Sequence, residues 1–275
     1  MIHPTAIVGE GAVIGPGTEV GPYAVVDSDV VLGANCLVGP HVHLTGHTTI
    51  GAGTRIHTGA VIGGEPQDLH YDGEVTYTTV GENCVFREYV TVNRGTDPGS
   101  TTAIGDNVML MAYTHVAHNC RLSSNVIIAN STQVAGHVQI SPRAFISGGV
   151  LIHQFVRIGA VAMVSGGEKV VQDVPPYCTM QFNRIVGPNT IGLRRTGLTP
   201  ESRRAVRMAI KVYFLKGLNR ANALAEIRAG CPAIPEVDAL VAFLETTERG
   251  IVAGGRASRY RKRIGEVKVE IEDEE

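Results

Sequence analysis

Beginning at Ile2, an aliphatic side chain returns every six residues, through Val8, Ile14, Val20 and onward to Ile62, eleven positions in phase. The pattern breaks at "GGEPQDLHYDGEVTYTT", resumes at Val80, Phe86 and Val92, and breaks again at "DPGSTTA". From Ile104 to Val170 twelve more positions follow without interruption. Between the aliphatic positions the chain is polar or small, and Gly often comes directly after the apolar residue, as in "IGPGTE", "LGANCL" and "IGAGTR". Such spacing predicts very short strands separated by tight turns, each turn of chain contributing inward apolar groups to one continuous core.

A six-residue period with one inward aliphatic per hexad is the signature of a parallel β-helix, whose coils stack at about 4.8 Å. The repeat resembles that of the hexapeptide-repeat transferases, and the resemblance implies a left-handed helix of triangular section with three hexads per coil. Twenty-six hexads then make nearly nine coils, a prism on the order of 40 Å long. The expected fold class is mainly β: a left-handed parallel β-helix over residues 1–182, with loops at 63–79 and 97–103 thrown out of the stack, where functional residues can sit without disturbing it.

Beyond Val170 the paired prolines of "DVPPY" end the pattern. A small helical domain is expected over 183–263. "TPESRRAVRMAIKVYFLKG" has Thr199 as N-cap, Pro200 at the first helical position and Glu201 in the first turn. Val206, Ile210, Tyr213 and Phe214 form its apolar stripe, with Arg203, Arg207 and Lys211 on another face. "ANALAEIRAG" and "PEVDALVAFLETTERG" predict two further helices.

The net charge of −2 conceals an asymmetry. Residues 1–190 carry 8 basic and 14 acidic side chains, residues 191–263 carry 15 and 6, and residues 264–275 are net −5 and read as a flexible acidic tail. The five cysteines (Cys36, Cys84, Cys120, Cys178, Cys231) are scattered with no CxxC pair, which argues for a reducing compartment and against a disulfide framework or zinc ribbon. No targeting segment is evident, and no run approaches the roughly 18 uncharged apolar residues of a membrane span. A cytoplasmic location is expected. Without a nucleic-acid-binding module or stacking aromatics the basic region does not point to nucleic acid, nor is there a nucleotide-binding glycine motif.

Four of the ten histidines, His115, His118, His137 and His153, fall within 39 residues. Eighteen residues make one coil, so His118, Gly136 and Gln154 form a column on one edge, with His137 and His153 beside it. Three readings are open: solvated exterior histidines, a zinc site, or a general base, for which an unperturbed pKa of about 6.5 is well suited. A base acting on a hydroxyl or amine needs an oxyanion donor nearby, and glycine lets a substrate approach backbone N–H closely. Gly136 would provide it.

The segments "QDLHYDGE", "HVAHNC", "VAGHV", "IHQF", "QDVPPY" and "GLRRTG", in this order and spacing, resemble the UDP-N-acetylglucosamine O-acyltransferases that begin lipid A biosynthesis, over residues 1 to 250. The resemblance implies transfer of a 3-hydroxyacyl group from acyl carrier protein to the sugar 3-position by a homotrimer, with no metal or cofactor beyond the carrier's phosphopantetheine thioester. It makes His118 the general base and the Gly136 N–H the oxyanion donor. Asp68 would hold the sugar, with His70, His115 and His137 near it and His153 in support, while Gln154, Asn189 and Arg195 would bind the nucleotide. Gly166 falls at the acyl-chain ruler, where a small residue leaves a longer groove. Arg203, Arg204, Arg207 and Lys211 are candidates for docking the acidic carrier protein.

Three positions depart from the family pattern: His70 stands where a lysine is usual, Asn119 where an aspartate follows the base, and Ile191 where a carboxylate is expected near the nucleotide. Two alternatives accompany this reading. One is transfer to the 3-amino sugar, giving an amide, and the other is a zinc enzyme of the carbonic anhydrase type, which uses histidines on this same fold.

Overall fold

The computed structural model describes residues 1–255. The acidic tail expected at 264–275 and the basic residues from 256 onward lie outside the described residues. The chain winds as a left-handed parallel β-helix whose strands collect into three parallel sheets, one for each face of a triangular prism. The first face has nine strands, from Ile7–Val8 to Lys169–Val170, and the second eight, from Val13–Ile14 to Arg157–Ile158. The third runs from Glu19–Val20 to Met163–Val164 and is completed by the hairpin Cys178–Gln181 and Arg184–Pro188.

Most strands are only two residues long, the first facing outward and the second inward, which is why the aliphatic period is six. The register is in steps of one coil, so that Val116 pairs with Val134 and Val134 with Ile152. These rungs are essentially inaccessible and join one apolar column from Val20 to Ile185. Corners are left-handed. At the edge between the first and second faces Asn119, His137 and Phe155 all have φ near +60°, a region in which asparagine is tolerated and bulky side chains are rare.

Both excursions leave from that same edge. They occupy 65–76 and 94–100, the first shorter than the expected 63–79 and the second shifted three residues earlier than the expected 97–103, because Val61–Gly64, Tyr77–Val80 and Thr101–Ile104 are four-residue strands; the latter two pair throughout. Arg94 in the second ties down the first: its guanidinium donates to the Gly63 carbonyl (3.0 Å), the Tyr71 hydroxyl (3.0 Å) and the Glu65 carboxylate (3.3 Å).

The two ends of the prism differ. At the start, Ile7 and Val13 are exposed, and the first coil is closed by a bridge from Ile2 to Val20, a bond from the Met1 ammonium to the Thr18 carbonyl (2.8 Å) and one from the Tyr23 N–H to the Thr5 hydroxyl (3.1 Å). The far end is covered by the hairpin, whose turn at Phe182–Asn183 straddles the boundary expected there, and by four helices: α1 (Thr190–Arg195), α2 (Pro200–Leu215), α3 (Arg220–Gly230) and α4 (Pro235–Glu245). Thr199 caps α2 as expected, accepting from the Ser202 N–H, and Val206 and Ile210 are buried. Asp173, 1% exposed, fastens helices to prism: it accepts from the Arg157 N–H (2.8 Å), the Arg157 guanidinium and Thr247, while Arg157 lies over the Phe243 ring of α4.

Candidate functional site

His115 leaves the prism from the outward position of the strand His115–Val116, and His118 follows at the corner. Rings this close on one coil are held apart by separate partners. His115 Nδ1 meets Thr91 Oγ1 at 2.7 Å, one coil below, and His118 Nδ1 meets Asn119 Oδ1 at 2.9 Å. His118 is nearly buried, its imidazole lying against the next coil at Gly136; a Cβ built there would stand 2.7 Å from both Cε1 and Nε2. The Gly136 N–H has no acceptor among the described residues, whereas its carbonyl accepts from the Phe155 N–H. The expected column of His118, Gly136 and Gln154 therefore exists as adjacent layers on one edge.

A cavity of about 280 Å³ opens here on the first face, lined by Gln67, His115, His118, Gly136, Leu151 and Gln154. Asp68 hangs over it from the first excursion, with Oδ2 3.8 Å from His118 Nε2. Its Oδ1 accepts from the His70 N–H (3.0 Å) and lies 2.9 Å from His70 Nδ1. These bonds, the backbone one foremost, hold the carboxyl below the usual carboxylate range, so Asp68 is ionised at neutral pH. His70 is largely exposed and its ring is turned to Asp68.

Burial, and then the neighbouring His118, push His115 below the ordinary histidine range; His137 is lowered by the same two causes. The His137 ring packs edge-on to His118 (5.2 Å) and stacks on Phe155 (4.7 Å). It lines a second cavity, on the second face, with Asn119, Arg121 and Arg157. His153 is exposed, its Nδ1 3.4 Å from the Gln154 carbonyl, and lies outside the lining of the first cavity. Cys120, behind His118, is buried with its thiol pushed up to about 12 and bonded to the Ala135 carbonyl; it is a core residue.

The remaining expected residues are not brought to this cavity. Asn189 and Arg195 line a cavity of about 420 Å³ on the third face, with Ile191, Phe145 and Arg143. Asn189 caps α1, accepting from the Gly192 N–H and donating to the Val161 carbonyl. Gly166 sits on the edge between the third and first faces, 3.2 Å from the Gly148 carbonyl at its would-be Cβ. On α2, Arg203 turns back to the Leu198 carbonyl and Arg204 pairs with Glu201, while Arg204, Arg207, Lys211 and Lys216 surround the exposed Met208 in a shallow cavity.

Sequence reasoning missed Thr91, Arg94, Gln67 and Leu151. Thr91 was discoverable in principle, since it lies one coil before His115, but the intervening excursion makes that coil 24 residues long. Among the described residues no three His, Cys, Asp or Glu side chains come together as a metal site, and none of the helices is long and apolar enough to cross a membrane.

Residues 173–252 match the family model described as UDP N-acetylglucosamine O-acyltransferase, domain 2, and residues 29–64 and 101–136 match the bacterial transferase hexapeptide model. The chain is 43% identical to the acyl-[acyl-carrier-protein]–UDP-N-acetylglucosamine O-acyltransferase of Chlamydia caviae, covering 92% of each chain. It is 54% identical to that of Chlorobaculum tepidum, over 88% of this chain and 93% of the relative. Among solved structures it superposes on the UDP-N-acetylglucosamine acyltransferase of Bacteroides fragilis with a TM-score of 0.89 at 39% identity, over 92% of this chain and all of that one. The Acinetobacter baumannii counterpart gives 0.86 at 37%, over 91% and 99%.

Proposed function

This chain belongs to the UDP-N-acetylglucosamine O-acyltransferase family, and on that premise we propose that it transfers a 3-hydroxyacyl chain from acyl carrier protein to the 3-position of UDP-N-acetylglucosamine, the first step of lipid A biosynthesis, with His118 as general base. The observation that carries the mechanism is the His118 imidazole packed against Gly136, whose N–H has no acceptor among the described residues, with the Asp68 carboxylate across the cavity.

In this mechanism His118 Nε2 removes the proton of the sugar 3-hydroxyl as that oxygen attacks the thioester carbonyl. The tetrahedral oxyanion is stabilised by the Gly136 N–H. Collapse breaks the C–S bond, and the imidazolium returns its proton to the departing phosphopantetheine thiolate. Asp68, its Oδ1 committed to His70, offers Oδ2 to a sugar hydroxyl and so sets the acceptor beside the base. His115 and His137, both favouring the neutral form, flank the site without adding positive charge to it. The reaction as written requires no metal or cofactor beyond the carrier's thioester.

The enzyme acts as a homotrimer in this reading. The sugar-binding and catalytic residues occupy the first face, while Asn189 and Arg195, the proposed nucleotide ligands, occupy the third. Cyclic packing of the first face of one protomer on the third face of the next joins the two halves. The basic surface of α2 suits the acidic acyl carrier protein, and the absence of paired cysteines among the described residues suits a cytoplasmic location.

The deciding experiment is transfer by His118→Ala, followed by mass spectrometry with UDP-N-acetylglucosamine and its 3-amino analogue as acceptors. Loss of turnover in a folded trimer is expected, with ester product from the wild type. Near-wild-type turnover in the variant would remove His118 from the chemistry, and preferential amide formation would reassign the acceptor.

A further inference from the structure

Of the two excursions, only 65–76 carries a residue placed in the reaction so far, the second having been given only the anchoring Arg94. We propose that the second, 94–100, is a positioning element that uses the backbone N–H of Thr96 to fix the amide of Asn119, and through it the proton on His118.

Asn119 Oδ1 receives two contacts, one from the Thr96 N–H at 3.1 Å and one from His118 Nδ1 at 2.9 Å. A backbone N–H can only donate, so the amide atom facing Thr96 has to be the oxygen. The same oxygen faces Nδ1, which must then carry the ring proton, leaving the lone pair on Nε2. That is the nitrogen lying over Gly136 and 3.8 Å from Asp68. Were the amide rotated by half a turn, its NH₂ would confront the Thr96 N–H, two donors without an acceptor. Nδ1 would have to accept, and the ring proton would sit on Nε2, where the ring can take up no further proton from a substrate.

An asparagine side chain has nearly the same shape in both orientations, so sterics alone do not choose between them. The Thr96 N–H does. The rest of Asn119 is equally constrained: its φ is +60° and its own N–H donates to the buried Thr102 hydroxyl at 2.8 Å. The loop is held by bonds from Gly95 to the Tyr77 carbonyl, Gly99 to the Val75 carbonyl and Ser100 to the Asp97 carbonyl. Thr96 is 6% exposed, and its hydroxyl has no partner among the described residues, so its contribution is main-chain.

The second consequence concerns charge. A carboxylate at 119 would present an oxygen to both donors in either orientation and would favour the imidazolium; the amide does only the orienting. The charged and titratable groups around His118 are then Asp68, with His70 behind it, His115 and the buried Cys120 thiol on its own coil, His137 on the next coil and Asp97, whose charge acts on His137.

The inference rests on His118 being the base, and the test separates the two. Thr96→Pro deletes the N–H and Thr96→Ala keeps it. We expect kcat to fall about tenfold or more in Thr96→Pro, with KM for both substrates within about twofold of wild type, and Thr96→Ala to match wild type. Asn119→Asp restores an acceptor to the ring whatever the loop does, so Thr96→Pro/Asn119→Asp should recover most of the lost rate. Asn119→Asp alone should move the acid limb of the kcat/KM profile to higher pH, because a carboxylate stabilises the protonated ring. Should Thr96→Pro fail to fold, Asn119→Ala against Asn119→Asp in the intact loop gives the same comparison, a fall in kcat against retention. Equal rates for Thr96→Pro and Thr96→Ala, or no recovery in the double variant, would overturn the proposal while leaving an inactive His118→Ala in place; an active His118→Ala would overturn both.

Discussion

The imidazole of His118 and the main chain of Gly136 are in contact across adjacent coils, so close that a single methyl at 136 would stand 2.7 Å from two ring atoms. Gly136→Ala therefore has to displace the imidazole, although it retains the N–H. We expect transfer to fall on the order of 100-fold, the scale of losing one aligned base or oxyanion donor, with the thermal midpoint little changed, since the ring lies at the prism's exterior edge. Single-turnover rates beside a melting curve check this; unaltered rates would place the reacting atoms elsewhere.

If the first face of one protomer meets the third face of its neighbour, two dead variants can restore each other. His118→Ala and Arg195→Ala, mixed by co-refolding, should regain about a quarter of wild-type activity, because random cyclic trimers join an intact first face to an intact third face at about one site in four. A site confined to one protomer would yield none.

Charge reversal on α2 should separate carrier docking from chemistry. Arg207→Glu/Lys211→Glu is expected to raise KM for the acyl carrier protein about tenfold at low salt with kcat unchanged, and the difference should shrink as salt screens it. A change in kcat alone would count against this surface.

The depressed pKa values of His115 and His137 make a prediction about stability. The folded protein prefers both rings neutral, while the unfolded chain takes up protons at about pH 6.5. Their contribution is thus complete above about pH 6.5 and is lost as pH falls towards their folded values. The thermal midpoint should decline on acidification across that window, and less steeply in His115→Gln; an unchanged slope would show that His115 is no part of the linkage.

Two glycines of similar φ offer a control on corner packing. At Gly149 (φ +67°) a Cβ meets nothing within 4 Å, whereas at Gly63 (φ +86°) it would stand 2.0 Å from Thr48 Oγ1 and 2.1 Å from the Thr45 carbonyl. Gly149→Ala should cost about 1 kcal/mol, for backbone conformation alone, and Gly63→Ala about 3 kcal/mol or more once repacking is added. Denaturant titration compares them, and equal losses would mean that the Thr45–Thr48 segment facing Gly63 yields freely.

The prism was legible because stacking imposes its own period on the sequence: Val116, Val134 and Ile152 are inward because each must cover the next, whatever their neighbours do. The same arithmetic placed Gly136 beside His118. It fails wherever a coil is not eighteen residues long, which hid Thr91 from His115 and Arg94 from the loop it anchors. α1 escaped notice because six residues carry no readable period; its N-cap, Asn189, was found only through a resemblance. The Thr96 N–H had no side-chain signature at all, being main chain. The distribution of the expected ligands over two faces was equally invisible, since hexad counting assigns a face but not what stands opposite it.

The unequal ends of the prism bear on how it is made. The covering hairpin and helices follow the prism in the chain, so during synthesis every new coil is for a time the growing tip, with its three strand edges unpaired. Longer edges in that position would template foreign chains. Here each offers mostly two residues before the backbone turns a left-handed corner, too short a splice for a stranger to extend, and the nascent stack remains able to accept its own next coil.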